Sequence, residues 1–350
     1  MWNDEERKLL VGTSLEIPVA AKLSALSREF EELRMKTTEI PWCYSNWWER
    51  SEPLLSLQLS DWVRVDAWYR SRSLELPNVG AVMVPCLDMA NHSPTPEAYF
   101  EQSSNGNVLL VLRPDVELCQ GNEITISYGE GKSDAEYLFA YGFIDDRCPD
   151  LSLDLTLEPM EGDPLGMAKV AAFKKRPFLR IAGREGDSQI IWEAPFLYLT
   201  CLNEEDGLEF KTWPELDGSN SLRVFWQETE VTESIEDFET LIKGHRLEDL
   251  FRLRAVTLLR QRIDQQLQRL DENQKIILDD DLIDSHNRQR AWALRERERD
   301  LLNTALKAAR EEEQILIRRV LLFNEDNDAE PDDEDDSNSS SETTHVDDFS

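Results

Sequence analysis

A chain of 350 residues with 40% hydrophobic content and ten tryptophans has room for roughly two domains with packed cores. Its formal charge of −33 excludes a general nucleic-acid surface, because phosphate binding needs clustered cations, and favours basic protein partners; acidity that only confers solubility is the competing reading. No apolar run approaches the roughly 20 residues of a membrane span, and the opening M-W-N-D-E-E-R-K lacks signal-peptide composition, so a soluble protein of the cytoplasm and/or nucleus is expected. Five cysteines, odd in number and without a C-x-x-C, indicate neither a disulfide framework nor a thiolate zinc site; reduced, mostly buried thiols and no metal are expected.

Residues 3–10 read as a short helix capped by Asn3 and ended near Gly12. Pro18 stands at a favoured first helical position, and Leu23, Leu26, Phe30 and Leu33 recur at spacings of three and four, which predicts an amphipathic helix over 18–35. Trp42, Trp47 and Trp48 follow. Ser60 then caps a helix with Trp62, Val65, Trp68 and Tyr69 on one face, read as core. Residues 1–75 thus form a helical unit.

From residue 78 the period changes to short runs rich in Val, Ile, Leu and aromatics at 81–85, 97–102, 108–113 and 123–128. Asn105-Gly106 predicts a tight hairpin turn, because both residues tolerate positive φ. Ser133 and Glu136 form a capping box for a helix over 134–141 that Gly142 stops, and 151–157 alternates as a strand leading out of the domain. Within this β region the apolar run ending at Pro85 is followed by Asp88, Asn91 and His92. Core strands avoid such polar groups, so the stretch is either a site or an Asx-type turn.

Beyond about residue 160 the pattern reads as mainly helical. Phe251, Ala255, Leu259, Ile263, Leu267 and Leu270 mark one long amphipathic helix, and Leu294, Leu301, Ala305, Ala308 and Ile315 a second, joined by a polar linker over 271–287 into an antiparallel hairpin. Lys174, Lys175 and Arg176 read as a solvated face, with an import signal as the alternative. Residues 324–350 hold twelve Asp or Glu and no Lys or Arg, which predicts a disordered acidic tail that supplies −12 of the charge and leaves −21 to the body.

Four ordered stretches carry a resemblance: S-R-S-L at 71–74, V-P-C-L-D-M-A-N-H-S at 84–93, G-N-E-I-T-I-S-Y-G-E at 121–130 and A-E-Y-L-F-A-Y-G-F at 135–143. Together they resemble the SET-domain protein lysine methyltransferases, in the subgroup typified by the plant Rubisco large-subunit and fungal ribosomal-protein enzymes. The opening residues resemble that subgroup's helical insert, and the helical remainder its substrate-binding domain. The resemblance implies an α+β fold: a partial SET-domain β-fold with a helical insert, followed by a mainly helical substrate-binding domain. In residues, 1–75 is the insert, 76–157 the C-terminal half of the SET domain, 158–323 the substrate-binding-like domain and 324–350 the tail.

It also implies S-adenosylmethionine as methyl donor and a lysine on a non-histone protein as acceptor. Tyr128 matches the active-site tyrosine. Asn91 and His92 match the donor-binding pair, on a loop that in the family is threaded by the C-terminal part of the domain. Ser71, Arg72 and Asp88 match donor-pocket positions, with a surface ion pair or a cap as the alternative for Arg72 and Asp88. Tyr141 and Phe143 match a pocket tyrosine and an adenine-stacking aromatic, with core packing as the alternative. The glycine-rich segment that opens the family's SET domain has no counterpart here, which implies a chain starting inside the insert, either a partial enzyme or a non-catalytic protein that binds basic partners.

Overall fold

The computed structural model describes residues 2–49, 56–77, 79–114, 116–215, 220–274 and 283–328, the last five without their side chains. Helix α1 (Asp4–Lys8) starts at a capping box in which Asn3 accepts from the Glu6 N–H and Glu6 accepts from the Asn3 N–H. Helix α2 (Glu16–Thr37) begins just before Pro18 and buries Leu26 and Phe30. Helix α3 (Pro41–Cys43) runs into a π-helical turn, Tyr44–Trp48.

Helix α4 (Leu59–Arg72) is capped by Gln58 and Asp61 rather than by Ser60. Its aromatic face corrects the core reading, because Val65, Trp68 and Tyr69 are 51%, 56% and 44% exposed. Helical spacing shows that side chains share a face, not that anything covers it. The side of α4 that is held carries Asp66, which pairs with Lys22 of α2 at 2.8 Å, and Arg70, which donates to the Phe139 carbonyl at 2.9 Å.

Strands β1 (Ser73–Leu76) and β2 (Gly80–Met83) pair antiparallel, as do β3 (Ala98–Gln102) and β4 (Val108–Leu112). The β3–β4 connection is not a tight two-residue turn. Ser103 N–H donates to Asn107 O, and Gly106 N–H to Ser103 O with Gly106 at φ 80°, a longer loop closed by one left-handed glycine. Residues 123–128 are not a strand either: only Ile126 forms a bridge, parallel to His92, while the Tyr128 N–H is taken by the His92 side chain. Helix α5 (Asp134–Tyr141) has the expected Ser133–Glu136 box and a left-handed Gly142 stop.

The remainder is less purely helical than its sequence suggests. Strands β5 (Asp150–Thr156), β6 (Phe178–Arg184) and β7 (Ile190–Glu193) form one sheet, with α6 (Gly166–Ala172) between the first two. After α7 (Pro195–Thr200), strands β8 (Leu208–Pro214), β9 (Asn220–Trp226) and β10 (Thr229–Glu230) form another in the order β10-β9-β8. Helices α8 (Phe238–Leu241), α9 (Glu248–Glu272) and α10 (Ser285–Asp328) complete the chain.

Leu151, Leu153 and Leu155 of β5 belong to one core with Ile181, Leu199, Val224, Phe251, Ile263 and Leu302. Strand β5 thus packs with the C-terminal elements. Helices α9 and α10 form the expected antiparallel hairpin, tied by Arg260–Glu313 at 3.0 Å; of their expected linker, 271–272 and 285–287 belong to the helices, and 275–282 lies outside the described residues. Helix α10 continues to Asp328, five residues into the stretch expected to be disordered, and 329–350 lies outside the described residues. A small second core, Leu10, Leu15, Leu138, Ala291 and Leu294, seats the N-terminal segment and α5 on α10. All five cysteines are free, and only Cys43 is buried, against the expectation of mostly buried thiols.

Candidate active site

Between the end of α4, the 84–93 stretch, Tyr128 and the segment after α5 lies a cleft of about 670 Å³. Ser71, Arg72, Asp88, Asn91, His92, Tyr128, Tyr141 and Phe143, dispersed along the sequence, all line it. Two loops come together to make this possible: Ile126 N–H donates to Asn91 O at 2.9 Å and Ser93 N–H to Ile126 O at 3.1 Å. A turn of 3-10 helix at Leu87–Met89, entered through Cys86 at φ 75°, aims Asp88 and Met89 at the cleft.

The floor is aromatic. Tyr128 lies 4.5 Å from Tyr141, 5.3 Å from His92 and 6.3 Å from Phe143, ring centroid to centroid, and Tyr137 joins the group 5.0 Å from His92. Tyr137 and Tyr141, four residues apart, project from the same side of α5. Three hydroxyls are anchored on carbonyls: Tyr128 on Ala90 at 2.7 Å, Tyr141 on Tyr128 at 3.2 Å and Tyr137 on Gly129 at 3.0 Å. Burial pushes the phenols of Tyr128 and Tyr141 above their ordinary range, with Arg72 pulling Tyr128 the other way, and pushes Tyr137 up to about 12. At neutral pH all three remain protonated donors.

The polar rim is partly self-engaged. Arg72 faces Asp88 at 3.6 Å and Met89 Sδ at 2.8 Å, the Asn91 amide donates to Glu123 at 2.5 Å, and the Ser71 hydroxyl turns back to the Trp68 carbonyl at 3.3 Å. The ion pair left open for Arg72 and Asp88 is thus formed, at the wall of the cleft. His92 is buried: its Nδ1 accepts from the Tyr128 N–H at 3.1 Å and its Nε2 lies 3.4 Å from Asp145 Oδ2. Burial holds the imidazole below its usual range, against the opposing pull of the Asp145 carboxylate.

Sequence reasoning missed Ile144, Asp145, Asp146 and Arg147, which also line the cleft, and Tyr137 beneath it. A run of three charged residues one position after the Y-G-F motif marked the place as polar without showing that it meets His92. Among the described residues no group of three or more His, Cys, Asp or Glu could hold a metal ion, and no helix is long and apolar enough to cross a membrane.

Solved structures of Rubisco LSMT bound to AdoMet superpose with a TM-score of 0.58 over 95% of this chain and 73% of that one, at 19% identity, a likeness that shows the fold. A complex of the LSMT SET domain with lysine and AdoHcy gives 0.55 over 93% and 68% at 20% identity. In sequence the chain is 31% identical to "SET domain-containing protein 8" of Schizosaccharomyces pombe over 276 residues, 78% of this chain and 60% of that protein. It is 27% identical over 173 residues to the chloroplastic [fructose-bisphosphate aldolase]-lysine N-methyltransferase of Arabidopsis thaliana, 47% of this chain and 34% of that enzyme. Over 221 residues it is 25% identical to the Rubisco large subunit N-methyltransferase of Nicotiana tabacum, 59% of this chain and 43% of that enzyme. No family model matches. In sequence the chain is similar to SET-domain proteins, and in fold to Rubisco LSMT. It spans 60% or less of the length of these curated relatives.

Proposed function

We propose that the chain acts in an S-adenosylmethionine-dependent protein-lysine N-methyltransferase, with the 670 Å³ cleft as the donor site and Tyr128 at the point of transfer. The observation that carries this reading is the convergence of the eight motif-matched residues on one cleft. Its volume lies within the range of roughly 300–1,000 Å³ usual for small-molecule sites. The donor set fits as well: Arg72 and Arg147 offer guanidinium groups to a carboxylate, and Tyr141 and Phe143 offer ring faces to a flat heterocycle.

The donor supplies a methyl group on a positively charged sulfur. What the protein supplies is alignment and a neutral amine. The lysine nitrogen's lone pair forms the new C–N bond as the methyl–sulfur bond breaks, its electrons stay on sulfur, and the amine proton leaves to solvent. Deprotonating an ordinary lysine near neutrality costs about 4 kcal/mol, and a half-buried wall of Tyr128, Tyr141 and Phe143 disfavours the ammonium form. With its own proton committed to the Ala90 carbonyl, the Tyr128 oxygen is left as an acceptor toward the amine.

For the acceptor we propose a lysine on a basic, non-histone protein, a ribosomal protein being one example, drawn by the charge of −33. The same charge supports a second reading, a non-catalytic protein that binds basic partners. Calorimetric titration of the chain with S-adenosylmethionine separates them. Saturable binding is expected; no detectable heat sinks the first reading. A Tyr128→Phe variant is expected to bind the donor and lose most transfer to a lysine peptide, and undiminished transfer removes Tyr128 from its role.

A further inference from the structure

We infer that Asp145 is a positioning residue of this cleft, acting on Tyr128 through the His92 ring, and that Arg297 of α10 holds it there, which makes the C-terminal helix part of the donor site. The inference rests on the proposed function for its meaning and on geometry for its content.

The His92 ring is 5% exposed and both its nitrogens are spoken for. Nδ1 is placed to accept from the Tyr128 backbone N–H at 3.1 Å, against the competing Ile126 backbone, which would accept from the ring, and this contact favours the proton of the neutral ring on Nε2. Nε2 faces Asp145 Oδ2 at 3.4 Å. That oxygen is buried and has no other hydrogen-bond partner among the described residues, so a small shift of the ring closes the contact into a full hydrogen bond. The other oxygen is turned away and fixed: Asp145 Oδ1 accepts from the backbone N–H and Nε of Arg147, each at 3.2 Å. The carboxylate is therefore aimed at the imidazole, selects the Nε2–H tautomer, and leaves Nδ1 free to hold Tyr128. An amide in its place has no reason to prefer that tautomer, since it can present either a donor or an acceptor.

The loop carrying Asp145 is pinned from outside the SET half. Arg297 of α10, with a side chain 16% exposed, donates to the Cys148 carbonyl at 2.8 Å and lies 3.8 Å from Asp146. The same guanidinium pairs at 2.8 Å with Asp134, the first residue of the helix that bears Tyr137 and Tyr141. One arginine of the C-terminal unit thus fixes both the loop behind His92 and the helix beneath Tyr128.

The test is nitrogen-15 NMR of the full chain labelled at histidine, with His92→Gln used to assign the signal. The parent is expected to show His92 neutral with its proton on Nε2, and Asp145→Asn to show a mixed or reversed tautomer. Arg297→Gln is expected to shift the His92 resonances without a change in net fold by circular dichroism. An Nδ1–H tautomer in the parent overturns the proposal, as does an unchanged His92 signature in Asp145→Asn. Should Asp145→Asn not fold, Arg147→Gln, altering a side chain 64% exposed, serves the same purpose: unchanged His92 resonances there overturn it as well. With donor and a lysine peptide, Asp145→Asn is expected to lose at least tenfold in kcat with a smaller change in donor Kd. None of the spectroscopic outcomes requires activity, so a chain that binds no donor refutes the proposed function and leaves the positioning claim to be judged by the tautomer alone.

Discussion

Ser14 donates both its backbone N–H, at 3.2 Å, and its hydroxyl, at 2.5 Å, to the carboxylate of Glu298, and so ties the N-terminal segment to the middle of α10. Glu298 is buried, and desolvation pushes its carboxyl up to about 7 despite those bonds and the nearby Arg295. The folded value lies above the ordinary 4.5, so between the two the native state keeps a proton that the unfolded chain has released. Stability from this group is present below about 4.5 and is lost as pH rises toward 7. A displacement of that size corresponds to about 3 kcal/mol. Glu298→Gln should therefore match the parent within about 0.5 kcal/mol at pH 5 and exceed it by about 2 kcal/mol at pH 8, read from urea denaturation at the two pH values.

Gly12 sits against the end of α9 for a steric reason. Its φ is +86°, and a Cβ built on it would lie 2.7 Å from the Arg269 carbonyl oxygen of α9, a backbone atom that has no room to move. Its own carbonyl accepts from the buried Gln266 amide at 2.9 Å. Gly12→Ala combines left-handed strain with that collision and should cost about 2–3 kcal/mol in chemical denaturation.

The contrast between local and distant contacts decides what the sequence reveals. Asn3 as a cap and the Ser133–Glu136 box were legible because such caps are complete within four residues, and the α9 and α10 stripes because 3.6-residue periodicity repeats over many turns. The strands β6 and β9 were not, although F-L-R-I-A-G-R and N-S-L-R-V-F-W keep a period of two, with Leu179 and Ile181 and then Val224 and Trp226 buried on one side: each run is short, and short apolar runs do not separate strand from helix by periodicity alone. The eight residues singled out by resemblance line one cleft, while Asp145, which also lines it, was not singled out. Its role exists only once the chain has folded back to put it against His92, and neither residue's neighbours encode that meeting.

Helix α4 allows the limits of periodicity to be measured. Trp68, 56% exposed, shares a face with Val65 and Tyr69 and looks like core in sequence, whereas Leu26 of α2 is 1% exposed. Trp68→Gln should change stability by no more than about 0.5 kcal/mol. Leu26→Ala should cost about 2–5 kcal/mol, because it removes buried methyl groups and leaves a cavity. Equal effects from the two substitutions in urea melts would mean that the α4 face is covered in solution.

Lys169 is the most deeply buried cation of the C-terminal unit, 1% exposed, and every donor it has is directed. Its Nζ reaches Asp163 at 2.7 Å, the Thr200 carbonyl at 3.0 Å and the Leu202 carbonyl at 2.7 Å. It therefore closes the end of α7 against the loop before α6. Substituting Lys169→Met keeps much of the volume but leaves the Asp163 carboxylate, itself 7% exposed, without its counter-charge, and strips two buried carbonyls of a donor. Breaking such a pair from one side should cost about 3–5 kcal/mol. The double variant Lys169→Met with Asp163→Leu removes the stranded charge and should recover part of that loss, so a thermal melt of the double variant above the single one is the expected order. The reverse order would show that Asp163 is stabilised by its bond from the Leu165 N–H rather than by the lysine.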